Sequence, residues 1–252
     1  MAKQLLIYES AVPITLARHG KTSFAASDDY AFSSLVSAVP LLAVEIAEAA
    51  QEYAVVFVAI GEEVMPVAIL GIQPEQNLYL TPTSGWQAKY VPSFVRRYPF
   101  IFSSSEDRQT LTLCIDETHP GFNTDGRGQR LFGDDGKPTA YVERVLEFLK
   151  AYQAQFEYTK AFCKRLKDSN LLEPLQAEVT TPTGEKVRLG DFLGVTRGRL
   201  HTLPTEALAA LVKSDELEMI YLHIHSLRNF NAVKDRYLEA LAAKPAVEEA
   251  TG

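Results

Sequence analysis

Apolar positions change period along this chain. Up to about residue 115 they come in short runs broken by turn residues, and from residue 139 they follow a helical period. Ala54 to Ile60 (AVVFVAI) is β-branched and aromatic and predicts a buried strand. Gly61, Glu62 and Glu63 predict a turn, and Val64 to Ile72 the returning strand. Pro66 has no N–H to donate, so it is expected near an edge or near the strand's start. Asn77 to Thr81 and Gln109 to Ile115 predict further strands, the second from the alternation of Leu111, Leu113 and Ile115. One helix is expected in this half, after Pro40. Leu41, Leu42, Val44, Ile46 and Ala49 form its apolar side, with Glu45, Glu48 and Glu52 mainly opposite. Residues 116–138 are rich in Gly, Asp and Pro and predict a loop.

From Thr139 to Lys167 there is no Gly and no Pro, which predicts a helix roughly 43 Å long with Thr139 as its N-cap. Val142, Val145, Leu149, Tyr152, Phe156, Thr159, Cys163 and Leu166 alternate spacings of three and four, a single heptad seam. Val145, Leu149, Tyr152 and Phe156 are expected to be buried. Tyr141, Phe148, Tyr158 and Phe162 form a second apolar set off that seam. More apolar surface than one layer hides makes a homodimer through this helix part of the expectation.

Beyond Asn170, Ala177 to Thr180 and Lys186 to Leu189 flank Thr181-Pro182-Thr183-Gly184, the pattern of a hairpin, with a short strand at Phe192 to Val195. Pro204 to Lys213 and Asn229 to Leu241 predict helices, and Glu218 to Leu227 fits either strand or helix. Short strands first, helices later and no βαβ alternation predict an α+β fold: a mainly antiparallel N-terminal sheet, a long central helix and a smaller C-terminal α/β part. The parts are 1–138, 139–168 and 169–242, packed as one unit, with 243–252 a frayed tail.

Composition adds little to this picture, and charge adds more. The 252 residues carry a formal charge of −7, which repels phosphate backbones and anionic lipid at long range, so no nucleic-acid partner is expected. No apolar run reaches the length a membrane span needs, so no membrane insertion is expected. The start, MAKQLLIYESAVP, has one lysine and three consecutive apolar residues, too few for a secretory signal. The expectation is a cytoplasmic protein, although a non-standard export signal would not show in this pattern. Cys114 and Cys163 lie far apart without ligand spacing and read as buried free thiols.

Four segments invite a chemical reading. Gly20-Lys21-Thr22 imitates the end of a phosphate-binding loop, but Thr15 stands where that loop needs its first glycine. Gly121 to Gly136 imitates part of a calcium loop, without the closing glutamate, and reads as a structural connector or, alternatively, a flexible lid or partner-binding loop. Trp86 to Phe100 (WQAKYVPSFVRRYPF) holds five aromatics and three cations. Pro92 and Pro99 bound a short helix there, with Arg96 and Arg97 at its C-terminal end. One reading is a structural corner whose arginines cap carbonyls or pair with acids. The other is a site for an anion or a peptide carboxylate, flanked by Trp86 and Tyr90, with Arg96, Arg97 and Tyr98 as binding residues. Finally, His223 and His225 would share a face on a strand and begin a non-haem iron or zinc site, with His119, His201 or Asp116 as a third ligand. On a helix they separate by about 200°, and no cofactor is then expected.

The chain also resembles the bacterial SapC family. The resemblance rests on His19 followed by Phe24-Ala25, on Pro40-Leu41 with Glu45, on Val56-Phe57, on Pro66 to Gly71 and on Asn77-Leu78. Its most distinctive stretch runs from Trp86 through Tyr90-Val91-Pro92 to Phe94-Val95-Arg96-Arg97-Tyr98-Pro99-Phe100. Leu131-Phe132, Asp135-Gly136, Thr139 and Ile220-Tyr221 with His223 and Ser226-Leu227 complete it, over about residues 8–240. In the family pattern the histidine at His223 recurs, while a partner at His225 is not fixed. The family takes its name from a locus for surface-layer proteins. Its members often accompany TonB-dependent receptors, halogenase-like and cupin-like proteins. That implies an accessory protein that binds a protein or peptide partner in uptake, export or peptide modification. The alternative is a metal-dependent oxygenase-type or other modifying enzyme acting with a halogenase-like neighbour. The usual hydrolase, kinase, dinucleotide and zinc-protease motifs are absent, which leaves other enzymes open.

Overall fold

The computed structural model describes residues 6–104 and 110–243. The expected frayed tail and the start of the strand expected at Gln109 lie outside them. In chain order the elements begin with β1 (Ala11–Pro13), α1 (Leu16–His19), β2 (Ser23–Phe24), β3 (Ala38–Pro40), α2 (Ile46–Ala49), β4 (Val55–Ile60) and β5 (Glu63–Ile69). There follow α3 (Ser93–Arg96), β6 (Phe100–Ser104), β7 (Leu111–Asp116), β8 (Phe122–Asn123), β9 (Gln129–Arg130) and α4 (Ala140–Asp168). The chain continues through β10 (Leu172–Thr180), β11 (Lys186–Val195), α5 (Arg197–His201), α6 (Thr205–Lys213), α7 (Glu216–Ser226) and α8 (Phe230–Ala243). All strand pairs are antiparallel and fall into three sheets, β10-β11-β4-β5-β3, β1-β7-β6 and β8-β2-β9. The fold is α+β, as the order of elements predicted. None of the described helices is long and apolar enough to cross a membrane.

Two apolar cores lie along α4. The larger packs β4 and β5 against Phe162, Cys163 and Leu166 of α4 and against Ile220 and Val233 of α7 and α8. The smaller joins Phe24, Phe100, Ile115 and Leu131 to Val142 and Leu149 near the start of the helix. The expected seam is therefore covered by two bodies in succession. Leu149 and Tyr152 are buried as expected, whereas Val145 and Phe156 are only half-buried. Phe162, from the second set, is fully buried, and Tyr141, Phe148 and Tyr158 are half-buried. Thr139 occupies the N-cap position, but its hydroxyl donates to the Arg130 carbonyl at 2.7 Å instead of capping the helix.

Several local expectations need correction. The helix after Pro40 begins as a 3-10 turn, Ala43–Glu45, before α2. A 3-10 turn advances the chain with three residues per turn, which rotates the phase of the apolar side. Val44 is therefore exposed and Glu45 is buried, the reverse of the helical pattern. Asn77 to Thr81 forms no strand. The Asn77 side chain accepts a hydrogen bond from the Tyr79 backbone at 2.9 Å, and that local turn competes with a ladder. Only Leu80 makes a bridge, to Trp86. Pro66 sits inside β5, between β4 and β3. Its carbonyl accepts from the Leu41 N–H, so its nitrogen faces the end of the short β3 and no β4 bond is lost. The connector 116–138 is tied down by β8 and β9, which pair with β2 on either side. Both cysteines are free and buried.

Candidate functional site

The corner from Trp86 to Phe100 leaves none of its five rings exposed: Phe94 and Phe100 are buried, and Trp86, Tyr90 and Tyr98 are half-buried. Its centre is Glu45, a carboxylate with 4% of its surface exposed. Oε1 accepts from the Tyr90 hydroxyl at 2.5 Å and from the Ser93 N–H and hydroxyl, both at 2.7 Å. Oε2 accepts from the Leu42 N–H at 2.8 Å. Burial, with the Glu45 charge and hydrogen bond adding to it, pushes the Tyr90 phenol up to about 12. Arg96 donates to the Val91 carbonyl at 2.9 Å and to the Ser93 hydroxyl at 3.0 Å. Its positive charge therefore reaches Glu45 through the two hydroxyl groups that hold the carboxylate. A buried charge survives when its lone pairs are met, and these are.

The five residues do not form one site. Trp86 donates to the Tyr53 hydroxyl at 2.7 Å and meets Tyr30 edge-on. Tyr98 stacks on Phe32 and packs beside Tyr8 and His119. Tyr90 and Arg96 belong to the Glu45 network. Arg97 stands apart. Arg96 ends α3 and Arg97 is its C-cap, still in helical conformation, so the two side chains diverge by about 100° to different sides. The Arg97 guanidinium lies 4.4 Å from the Phe94 ring centre, 4.8 Å from Tyr152 and 5.7 Å from Tyr8. Tyr90 thus flanks Arg96, 5.6 Å from its ring centre, whereas the rings around Arg97 are Phe94, Tyr152 and Tyr8. Arg97 Nε is buried without a hydrogen-bond partner. Among the described residues no ion pair holds the guanidinium, and its neighbour in reach of a side-chain hydrogen bond is the Tyr8 hydroxyl. Burial raises the Tyr8 phenol well above its usual range, and the Arg97 charge opposes that rise.

The two histidines of the His-Ile-His segment lie on α7, not on a strand. His223 is fully buried and His225 is exposed. Val195 N–H donates to His223 Nε2 at 2.9 Å, which leaves the proton on Nδ1, and that nitrogen lies 2.9 Å from the Val55 carbonyl. The ring therefore joins α7 to β4 and β11. Burial pulls its pKa down to about 4, against the two backbone bonds. Of the suggested third ligands, Asp116 is fully buried and accepts from the Glu9 N–H and the Thr118 hydroxyl, while His119 Nδ1 accepts from the Gly121 N–H. His201 is exposed at the end of α5. No group of three metal-binding side chains occurs among the described residues.

The sequence reading missed a pair that only the fold assembles. His19, 3% exposed, lies 2.7 Å from Glu117 across 98 residues of chain. Both line an open cleft of about 330 Å³ beside Arg18, Thr22, Phe122 and Asn123. His19 stood out only as part of the family pattern. Glu117 carried no signal, because a lone glutamate after a strand is common.

A family model described as SapC matches residues 14–233, a span that holds the Glu45 network, Arg97, His19 and His223. No curated protein and no solved structure matches the chain. With that match covering most of its length, the chain belongs to the SapC family.

Proposed function

We propose that this chain is a binding protein that engages a protein or peptide partner through a carboxylate or similar anion held at Arg97. It would act in the cytoplasm, in an uptake, export or peptide-modification system as the family implies. The observation that supports this reading is the ring-caged guanidinium of Arg97, whose Nε has no hydrogen-bond partner and which no carboxylate among the described residues pairs. Three rings fix it in place, so little rotamer freedom is lost when it takes a ligand. Rings attract the cation by about 0.5–2 kcal/mol and leave donors of the guanidinium fork free, which a carboxylate would take in a bidentate way. A second copy of the chain is a less favoured partner, since no large apolar side chain of α4 is exposed. The reading as a metal-dependent enzyme draws no support from His223, whose ring nitrogens both engage backbone groups.

The test follows the Arg97 Nε–H resonance by NMR. An acetylated dipeptide with a free C-terminal carboxylate should shift that resonance saturably, and its C-terminal amide should not. Equal responses to acid and amide, or no response to either, would overturn the reading. Metal analysis of the purified protein tests the alternative: stoichiometric iron or zinc bound through histidine would restore it.

A further inference from the structure

The cleft beside His19 is independent of Arg97 and of the reading built on it. Its wiring is asymmetric. The Thr15 backbone N–H donates to His19 Nδ1 at 3.1 Å. A backbone N–H can only donate, so Nδ1 is unprotonated and the ring proton is on Nε2. Nε2 then donates to Glu117 Oε1 at 2.7 Å. His19 therefore ties the turn before α1 to Glu117 and holds that carboxylate in place.

The permanent charge beside Glu117 comes from the surface. Oε2 is paired with Arg18, whose side chain is 60% exposed, against 30% for Glu117. An ion pair with so exposed a partner is worth little and exchanges readily. The half-buried Phe122 gives the same cleft an apolar wall, with Ile115 fully buried behind it. The cleft thus holds a fixed carboxylate, an apolar wall and a seat that a guanidinium from the chain itself already fills. A net charge of −7 favours cations around the molecule as a whole.

We propose that this cleft binds an organic cation, a guanidinium or primary ammonium on a short hydrocarbon chain. The cation pairs with Glu117 Oε2 in place of Arg18, and its hydrocarbon lies on Phe122. Such a group could be a free amine or a basic side chain of a peptide. His19 is a positioning residue, Glu117 is the binding residue, and Arg18 is the internal occupant.

Calorimetric titration of the full chain with n-butylguanidinium is the direct experiment. The wild type should bind weakly. Arg18→Ala should bind about three- to tenfold more tightly, because it removes the competing occupant. Glu117→Gln keeps an acceptor for His19 and removes the charge, and it should lose binding while its thermal midpoint stays near that of the wild type. A parallel titration with an acetylated, amidated arginine dipeptide separates the two sources: tighter binding than n-butylguanidinium indicates a peptide side chain, and weaker binding a free amine. Unchanged or weaker binding by Arg18→Ala, or retained binding by folded Glu117→Gln, overturns the proposal. So does a wild type and Arg18→Ala that both fail to bind at tens of millimolar.

Discussion

Two guanidinium groups meet α4 in opposite circumstances. Arg165, near its C-terminal end, grips Glu216 at the start of α7 with Nε at 2.9 Å from Oε2 and a second contact to Oε1. Glu216 is 1% exposed, so this fork holds a buried charge and joins two helices of the larger core. Arg97 stacks on Tyr152 halfway along the same helix, and among the described residues it holds no carboxylate and its Nε has no acceptor. Both contacts order a long side chain. Only the first uses the hydrogen-bonding capacity that distinguishes arginine from an apolar residue. The contrast teaches that an arginine beside aromatic rings is not thereby explained. Where its donors end decides whether the fold alone accounts for it.

The sharpest way to break this comparison is to remove both cations. Arg165→Met leaves Glu216 buried without its cation, and the expected loss is about 3–5 kcal/mol by urea unfolding. Loss below about 1 kcal/mol would mean that the Arg165 fork is not structural. Glu45→Ala should cost about 3 kcal/mol, because the Leu42 and Ser93 N–H groups and two hydroxyls lose their acceptor together.

Acid provides the third comparison. His223 has a folded pKa of about 4, below the usual 6.5, so the unfolded chain binds its proton first as pH falls. Its contribution is complete above about pH 6.5, shrinks as pH drops to about 4 and is constant below that. The full change is about 3 kcal/mol. Unfolding curves at pH 7 and pH 4.5 for the wild type and His223→Gln should show a shallower loss in the variant. Parallel losses would place the acid sensitivity elsewhere. The smallest effect on stability belongs to Arg97→Met, at about 1 kcal/mol or less, since only ring contacts are removed. The same variant should lose calorimetric binding of the acetylated dipeptide acid. If it unfolds as readily as Arg165→Met, the corner is structural and the binding reading fails.

Much of the architecture was legible in the pattern of side chains. The long helix was readable from an unbroken stretch without Gly or Pro, and the strand pair β4–β5 from β-branched runs around a glycine turn. Both are properties of neighbours in sequence. Misreadings occurred where a side chain overrode the local period. Glu45 turned inward because a 3-10 turn shifted its phase, and Asn77 closed a turn where a strand was expected. Glu218 to Leu227 fitted two templates, and packing against β4 and β11 settled it as helix.

The candidate site divides along the same line. The sequence by itself determined that Trp86 to Phe100 would be a crowded aromatic corner, since that much apolar area is not left in water. It also determined that the two arginines would end a short helix between prolines. Only the tertiary structure decided which arginine has partners. Arg96 meets Tyr90 and Ser93 within its own corner, whereas the rings around Arg97 include Tyr8 and Tyr152, far away along the chain. The pairing of His19 with Glu117 belongs to the same class. Short-range pattern sets which segments are helix, strand or turn. Side chains that meet across such distances have no periodic signature, and their protonation and charge follow from which groups the fold leaves facing them.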